Sequence, residues 1–140
     1  MAWFEEYTTW LTTHEYGIDE RDHGNNHSAW WVAQVAAFSS LTGNNKHLNF
    51  CRELFKNTIL PNQIDSEGIF KDEITRTKPY SYSLFNLEAF ALICQLLSTD
   101  EENLWNYNTK DGKSIKIAFS FMFPFIIDKT KWPYPPDIAY

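Results

Sequence analysis

The sequence predicts an all-α domain built from antiparallel helix pairs. Apolar residues recur at three- and four-residue spacing in five stretches, and Gly, Asn and Pro signals separate those stretches. At 140 residues and 44% hydrophobic content the chain is long enough to bury one core, so residues 1–140 read as a single helical domain. Glycine is scarce, with 5 residues, which argues against a disordered or low-complexity chain.

The first helix is carried by Trp3, Phe4, Tyr7, Trp10 and Leu11, with Gly17 as its stop signal. The second covers residues 28–41, places Trp31, Val32, Val35, Ala36, Phe38 and Leu41 on its apolar positions, and ends at TGNN. The third covers residues 46–60, with Cys51, Leu54, Phe55 and Thr58 on one side, and Pro61 ends it. The stretch PNQIDSEGIFKDEITRTKPYSY has no helical period and reads as a long loop with a short extended piece at GIFKDE. Loops of that length inside a compact domain are uncommon and are often functional. The fourth helix covers residues 83–97, with Leu84, Leu87, Phe90 and Ala91 inward, and the fifth residues 113–125. Between them STDEENLWNYNTKDG is a polar connection with a helical turn near Leu104, STDEEN being a solvated acidic loop. The tail DKTKWPYPPDIAY is proline-rich and irregular.

A formal net charge of −6 gives no global basic field, so nucleic acid is not an expected partner. A local cation cluster can still bind an anionic substrate inside a cleft. No apolar run reaches the roughly 18 residues of a membrane span, and no membrane partner is expected. Cys51 and Cys94 lie on apolar helix faces and read as buried free thiols; spacing alone leaves a disulfide open. There is no CxxC and no repeated Cys/His spacing, so neither a metal site nor a cofactor is expected. The amino-terminal MAWFEEYTTW lacks the basic start and cleavage site of a signal peptide and begins inside an amphipathic pattern. It reads as a cytoplasmic start or as a chain cut from a longer one.

Two stretches carry the chemistry. In HGNNHSAWW, from His23 to Trp31, either Asn25 or Asn26 can cap the helix by accepting a backbone N–H. The remaining asparagine and His27 are then available to face an anion, which the backbone N–H groups and dipole of a helix start favour. Trp30 reads as a core residue or as a platform for the C–H face of a sugar ring, and His23 as a surface residue close enough to line a cleft. In DEITRTKPYSYSLFNL the loop carries Arg76, with Tyr80 and Tyr82 just ahead of a helix, and Glu73 reads as an ion-pair partner for Arg76. His14 and His47 read as surface or structural residues.

Together Asn, His, Arg and Tyr suit one reaction, β-elimination from a uronic acid polymer. The proton to be removed lies α to a carboxylate, and the enolate-like intermediate gathers more negative charge. Arg and an Asn amide can neutralise that carboxylate. His can remove the C5 proton because its ordinary pKa is near neutrality. A Tyr hydroxyl can protonate the leaving O4, or act as base once nearby cations lower its pKa from about 10.

The chain resembles the alginate lyase family of helical-toroid polysaccharide lyases. The residues that carry the resemblance are NNHSAWW, DEITRT, YSYSLFNLEAF and LWNYNTKDGKSI, within a likeness running from WLTTHEYG to KWPYPP. The resemblance implies antiparallel helix pairs forming part of an incomplete (α/α) toroid, and metal-independent β-elimination of 4-linked uronates such as alginate, polymannuronate or glucuronan. By residue, Asn26 resembles the carboxylate-neutralising asparagine and His27 the histidine that neutralises or acts as base. Arg76 resembles the arginine near the substrate carboxylate, and Tyr82 the tyrosine that serves as acid and for some epimers also as base. Asn25, Trp30, Tyr80 and His23 are the expected substrate-binding residues.

Family members usually run to several hundred residues, and the likeness here is to the carboxyl-terminal part of their helical domain. The expectation is therefore a fragment of a longer lyase, itself secreted or periplasmic. RTKPYSY also departs from bacterial alginate lyases in which the tyrosine is followed by His, and is closer to relatives that degrade other polyuronates. Two alternatives stand beside the lyase: a uronate-binding fragment that does not turn substrate over, and a helical interaction module. An incomplete toroid leaves apolar surface exposed, which predicts self-association.

Overall fold

The computed structural model describes residues 1–139. It contains seven α-helices: α1 (Ala2–Thr13), α2 (Glu15–Asp22), α3 (Asn26–Thr42), α4 (Asn45–Leu54), α5 (Leu60–Gln63), α6 (Pro79–Leu97) and α7 (Ile115–Ile127). A π-helical turn, Phe55–Ile59, joins α4 to α5, and short 3₁₀ turns follow α6 and α7. Among the described residues the extended pairing is the antiparallel bridge between Ile64 and Phe70. None of these helices is long and apolar enough to cross a membrane.

The core forms around α3, which packs most extensively on α6 and then on α4. Ala29, Val32, Ala33, Val35 and Ala36 are buried along it. These small residues let α6 approach, and Phe90, Ile93 and Leu97 of α6 meet Phe55, Ile59 and Phe70 behind them. Trp31 lies inside with its indole N–H donated to the Leu11 carbonyl at 3.2 Å, tying α3 to α1. Asn25 caps α3 by accepting the His27 backbone N–H, and Gly43 closes its other end in the left-handed conformation.

Four expectations change. Gly17 does not stop α1; it lies inside a separate helix, α2. A Cβ there would lie 2.3 Å from the Leu11 carbonyl oxygen, so glycine is required for α2 to close on α1. Pro61 does not end the third helix. The π turn before it carries a Leu60 N–H to Phe55 carbonyl bond, five residues back, and the wider turn leads Pro61 into the first turn of α5. The fourth helix starts at Pro79, four residues earlier than its apolar pattern, because proline suits a first helical turn; Tyr80 and Tyr82 are therefore helical. Its inward face includes Leu87, Phe90 and Ile93, with Leu84 and Ala91 only half-buried. The fifth helix spans Ile115–Ile127 and passes through Pro124.

The long loop is itself packed. Asp65 accepts the backbone N–H groups of Glu67 and Ile69, Gly68 turns the chain at φ +86°, and Ile64, Ile69 and Phe70 are buried. Gly68 also lies against the Ile117 backbone, where a Cβ would meet the carbonyl oxygen at 2.5 Å. Cys51 and Cys94 are buried free thiols, and burial pushes each up to about 12.

Candidate active site

The first turn of α3 has the unpaired N–H groups and positive dipole end of any helix start. An anion does sit there, but it belongs to the protein. Glu73, only 1% exposed, accepts the Asn26 backbone N–H at 2.7 Å, and the Asn26 side-chain nitrogen lies 2.9 and 3.1 Å from its two oxygens. A carboxylate only accepts, so the Asn26 amide must turn its NH₂ towards Glu73. Asn26 is buried, and part of its donor capacity is spent internally.

Arg76 follows Glu73 by one turn of the loop, its backbone N–H reaching the Glu73 carbonyl at 3.1 Å. Its guanidinium is 3.7 Å from the Glu73 carboxylate, beyond hydrogen-bond distance, and lies 4.0 Å from the centroid of the Tyr82 ring. The N–H fork is therefore held in place without being consumed by that carboxylate. Asn26, Glu73, Arg76 and Tyr82 thus form one connected run from α3 through the loop to α6.

His27, next to Asn26, is half-buried. Its Nδ1 is 2.7 Å from Glu20 Oε1, and its ring lies 4.6 Å from that of His23. Trp30, one turn further along α3, packs at 4.7 Å and 31° against Phe85, one turn beyond Tyr82 on α6. Asn25 contributes its cap and its carbonyl. That carbonyl accepts from Gln63 Nε2 at 2.8 Å, and Gln63 Oε1 in turn accepts from Asn86 at 2.8 Å. Gln63, Glu73, Glu20 and Phe85 all touch this edge, and none was singled out for it by the sequence except Glu73.

Tyr80 stands apart from this run. Its hydroxyl donates to the Phe125 carbonyl at 3.3 Å, its ring meets Trp132 edge-on at 5.4 Å, and Lys129 sits 4.3 Å from its centroid. These contacts place it in the packing between α6, α7 and the tail. Tyr82, two residues on, has no such bond to a described backbone carbonyl. A separate concavity of about 290 Å³, lined by Thr12, Arg21, Trp31, His47 and Phe50 among others, contains none of the candidate residues.

Antiparallel helices with a polar edge at the α3 and α6 starts have the form of part of an (α/α) toroid. The chain belongs to the alginate lyase family, whose model matches residues 1–132. It is similar to the crystal structure of an alginate lyase from Bacteroides ovatus, at 29% identity and a TM-score of 0.90. The match covers 99% of this chain and 36% of that one, so the chain spans about a third of that relative's length. No curated protein matches it.

Proposed function

We propose that this chain carries the uronate edge of a lyase that cleaves 4-linked polyuronates by β-elimination. The observation that carries the reading is the connected run from Asn26 through Glu73 and Arg76 to Tyr82, with His27 beside it. Glu73 fills the helix start, so the substrate carboxylate falls to Arg76, whose N–H fork suits a planar anion. Asn26 holds the edge and offers its remaining amide hydrogen. His27 removes the C5 proton, the electron pair forms the C4–C5 double bond, and the C4–O4 bond breaks. The Tyr82 O–H protonates O4, and for the other C5 epimer Tyr82 also takes the proton. Charge neutralisation comes from Arg76, and the scheme calls for no metal. Trp30 and Phe85 offer aromatic surface to a flanking ring. A polymeric acidic substrate places the enzyme outside the cytoplasm, in the periplasm or medium.

The test is ultraviolet absorbance of the unsaturated uronate, with polymannuronate, polyguluronate, glucuronan and a neutral polysaccharide as substrates. One polymer should give product, and Tyr82→Phe should lower the rate by about 10²–10⁴-fold, the range of a lost general acid. No product from any polymer overturns turnover by this chain. Calorimetric binding of an oligouronate under those conditions would then support the second reading, a binding unit.

A further inference from the structure

Three of the 4 histidines differ in what Nδ1 meets. His14 Nδ1 accepts the Tyr16 backbone N–H at 3.2 Å. His47 Nδ1 lies 3.2 Å from Asn44 Nδ2, and Asn44 Oδ1 already accepts the His47 backbone N–H, so the amide presents its NH₂ to the ring. In both, Nδ1 is the acceptor, and the proton of the neutral ring sits on Nε2. His27 is the reverse. Its Nδ1 faces a carboxylate, which can only accept, so Nδ1 carries the hydrogen and Nε2 keeps its lone pair.

Glu20 and His27 are both partly exposed, and an exposed pair is worth little by itself. Other bonds hold their geometry. The buried Ser28 hydroxyl accepts the Gly24 N–H at 2.7 Å and reaches back to the Glu20 carbonyl at 3.5 Å, while Asn25 caps the His27 N–H at 3.0 Å. The corner between α2 and α3 is thus pinned independently of the pair it presents.

We propose that Glu20 is a positioning residue that commits neutral His27 to the Nδ1–H tautomer and so supplies the uronate edge with an unprotonated Nε2. A proton taken from C5 lands on Nε2, and the resulting imidazolium stays paired with Glu20. This deepens the lyase reading and rests on it for its purpose, whereas the tautomer is measurable without substrate.

The experiment is long-range ¹H–¹⁵N correlation on the imidazoles of the labelled chain at a pH of about 8.5, above the ordinary histidine range, with His27→Asn to assign the signals. His47 is an internal reference, because burial and then the Lys46 charge lower its pKa and keep it neutral. In the wild type, His27 should show a protonated Nδ1 and an unprotonated Nε2, the reverse of His47. Glu20→Ala should shift His27 towards the His47 pattern. Glu20→Gln, which can present either an oxygen or an NH₂, should fall between, with the His47 signals unmoved as the sign of an intact fold. A wild-type His27 protonated on Nε2, or one unchanged in Glu20→Ala, overturns the inference. Mannuronate and glucuronate trisaccharides are then added to the same samples. A shift at Nε2 supports its use by the uronate; the expected tautomer with no shift overturns that use and the lyase reading, while the Glu20 assignment stands.

Discussion

The start of α3 and the outer face of α7 bury and expose in opposite senses. At the first, Asn26, Ser28, Gln63, Glu73 and Asn86 are all buried, and bonds between Asn26 and Glu73, and among Asn25, Gln63 and Asn86, link α3 to the loop and α6. At the second, Phe123 is 60% and Ile127 71% exposed, while Ile115, Ala118 and Met122 on the other side fill the core. Burying polar groups stabilises only when every partner is present, whereas exposed hydrocarbon costs the fold little and favours association. The polar edge should therefore be intolerant of substitution and the apolar face tolerant, the reverse of what residue polarity alone would suggest.

The largest expected effect is at Glu73. Glu73→Ala leaves the Asn26 backbone N–H and side-chain amide without their acceptor, and should cost about 3 kcal/mol in urea unfolding, at about 1–3 kcal/mol for each buried unpaired donor. A loss under about 1 kcal/mol would show that water replaces the carboxylate and would end the contrast.

Asp137 gives a smaller, pH-dependent effect at the start of α6. It accepts from the Tyr80 and Ser81 backbone N–H groups at 3.0 and 3.3 Å and from the Ser81 hydroxyl at 2.5 Å, with Lys129 at 3.3 Å. Burial raises its pKa, but the Ser81 bonds and Lys129 outweigh that and hold it below the ordinary aspartate value. A lowered carboxylate stabilises fully above its unfolded pKa, about 3.9, and loses that contribution as pH falls through the lower folded value. Hydrogen exchange at the Ile138 N–H, bonded to Thr77, should accelerate relative to the core at low pH. Asp137→Ala should abolish that step and cost about 0.5–2 kcal/mol, the scale of a lost helix cap.

The smallest effect on stability is expected on α7. Phe123→Ser with Ile127→Ser should change unfolding by no more than about 0.5 kcal/mol. Sedimentation should show weaker self-association than in the wild type. Equal association in both would place any contact between copies elsewhere, and a large loss of stability would show that the face is part of the core.

Periodic apolar spacing reveals α1, α3, α4, α6 and α7 because each sets buried or half-buried apolar residues against the core. It misses α2, whose 8-residue sequence EYGIDERD is mostly charged and whose one buried residue is a glycine. That gap carries into the site, since Glu20 comes from α2. The Asn25 cap is local and legible. Burial of Glu73 is not, because it depends on a loop meeting a helix 47 positions earlier in the chain. Tyr80 and Tyr82 look equivalent in the sequence, and helix geometry separates them by turning one towards α7 and the other towards Arg76.

The π turn at Phe55–Ile59 amounts to one extra residue in an otherwise regular helix. Deleting that residue would restore the common winding and leave the residues that follow in nearly the same phase, because the wide turn takes up its extra residue as circumference and not as rotation. Deleting one from a regular turn of α4 would instead rotate everything after it by about 100°, and Gln63 would swing away from the Asn25 carbonyl it now reaches at 2.8 Å. The wide turn is therefore a place where the chain can change length by one residue, and such a gap in a relative's alignment there would leave the distant NNH edge aimed as before.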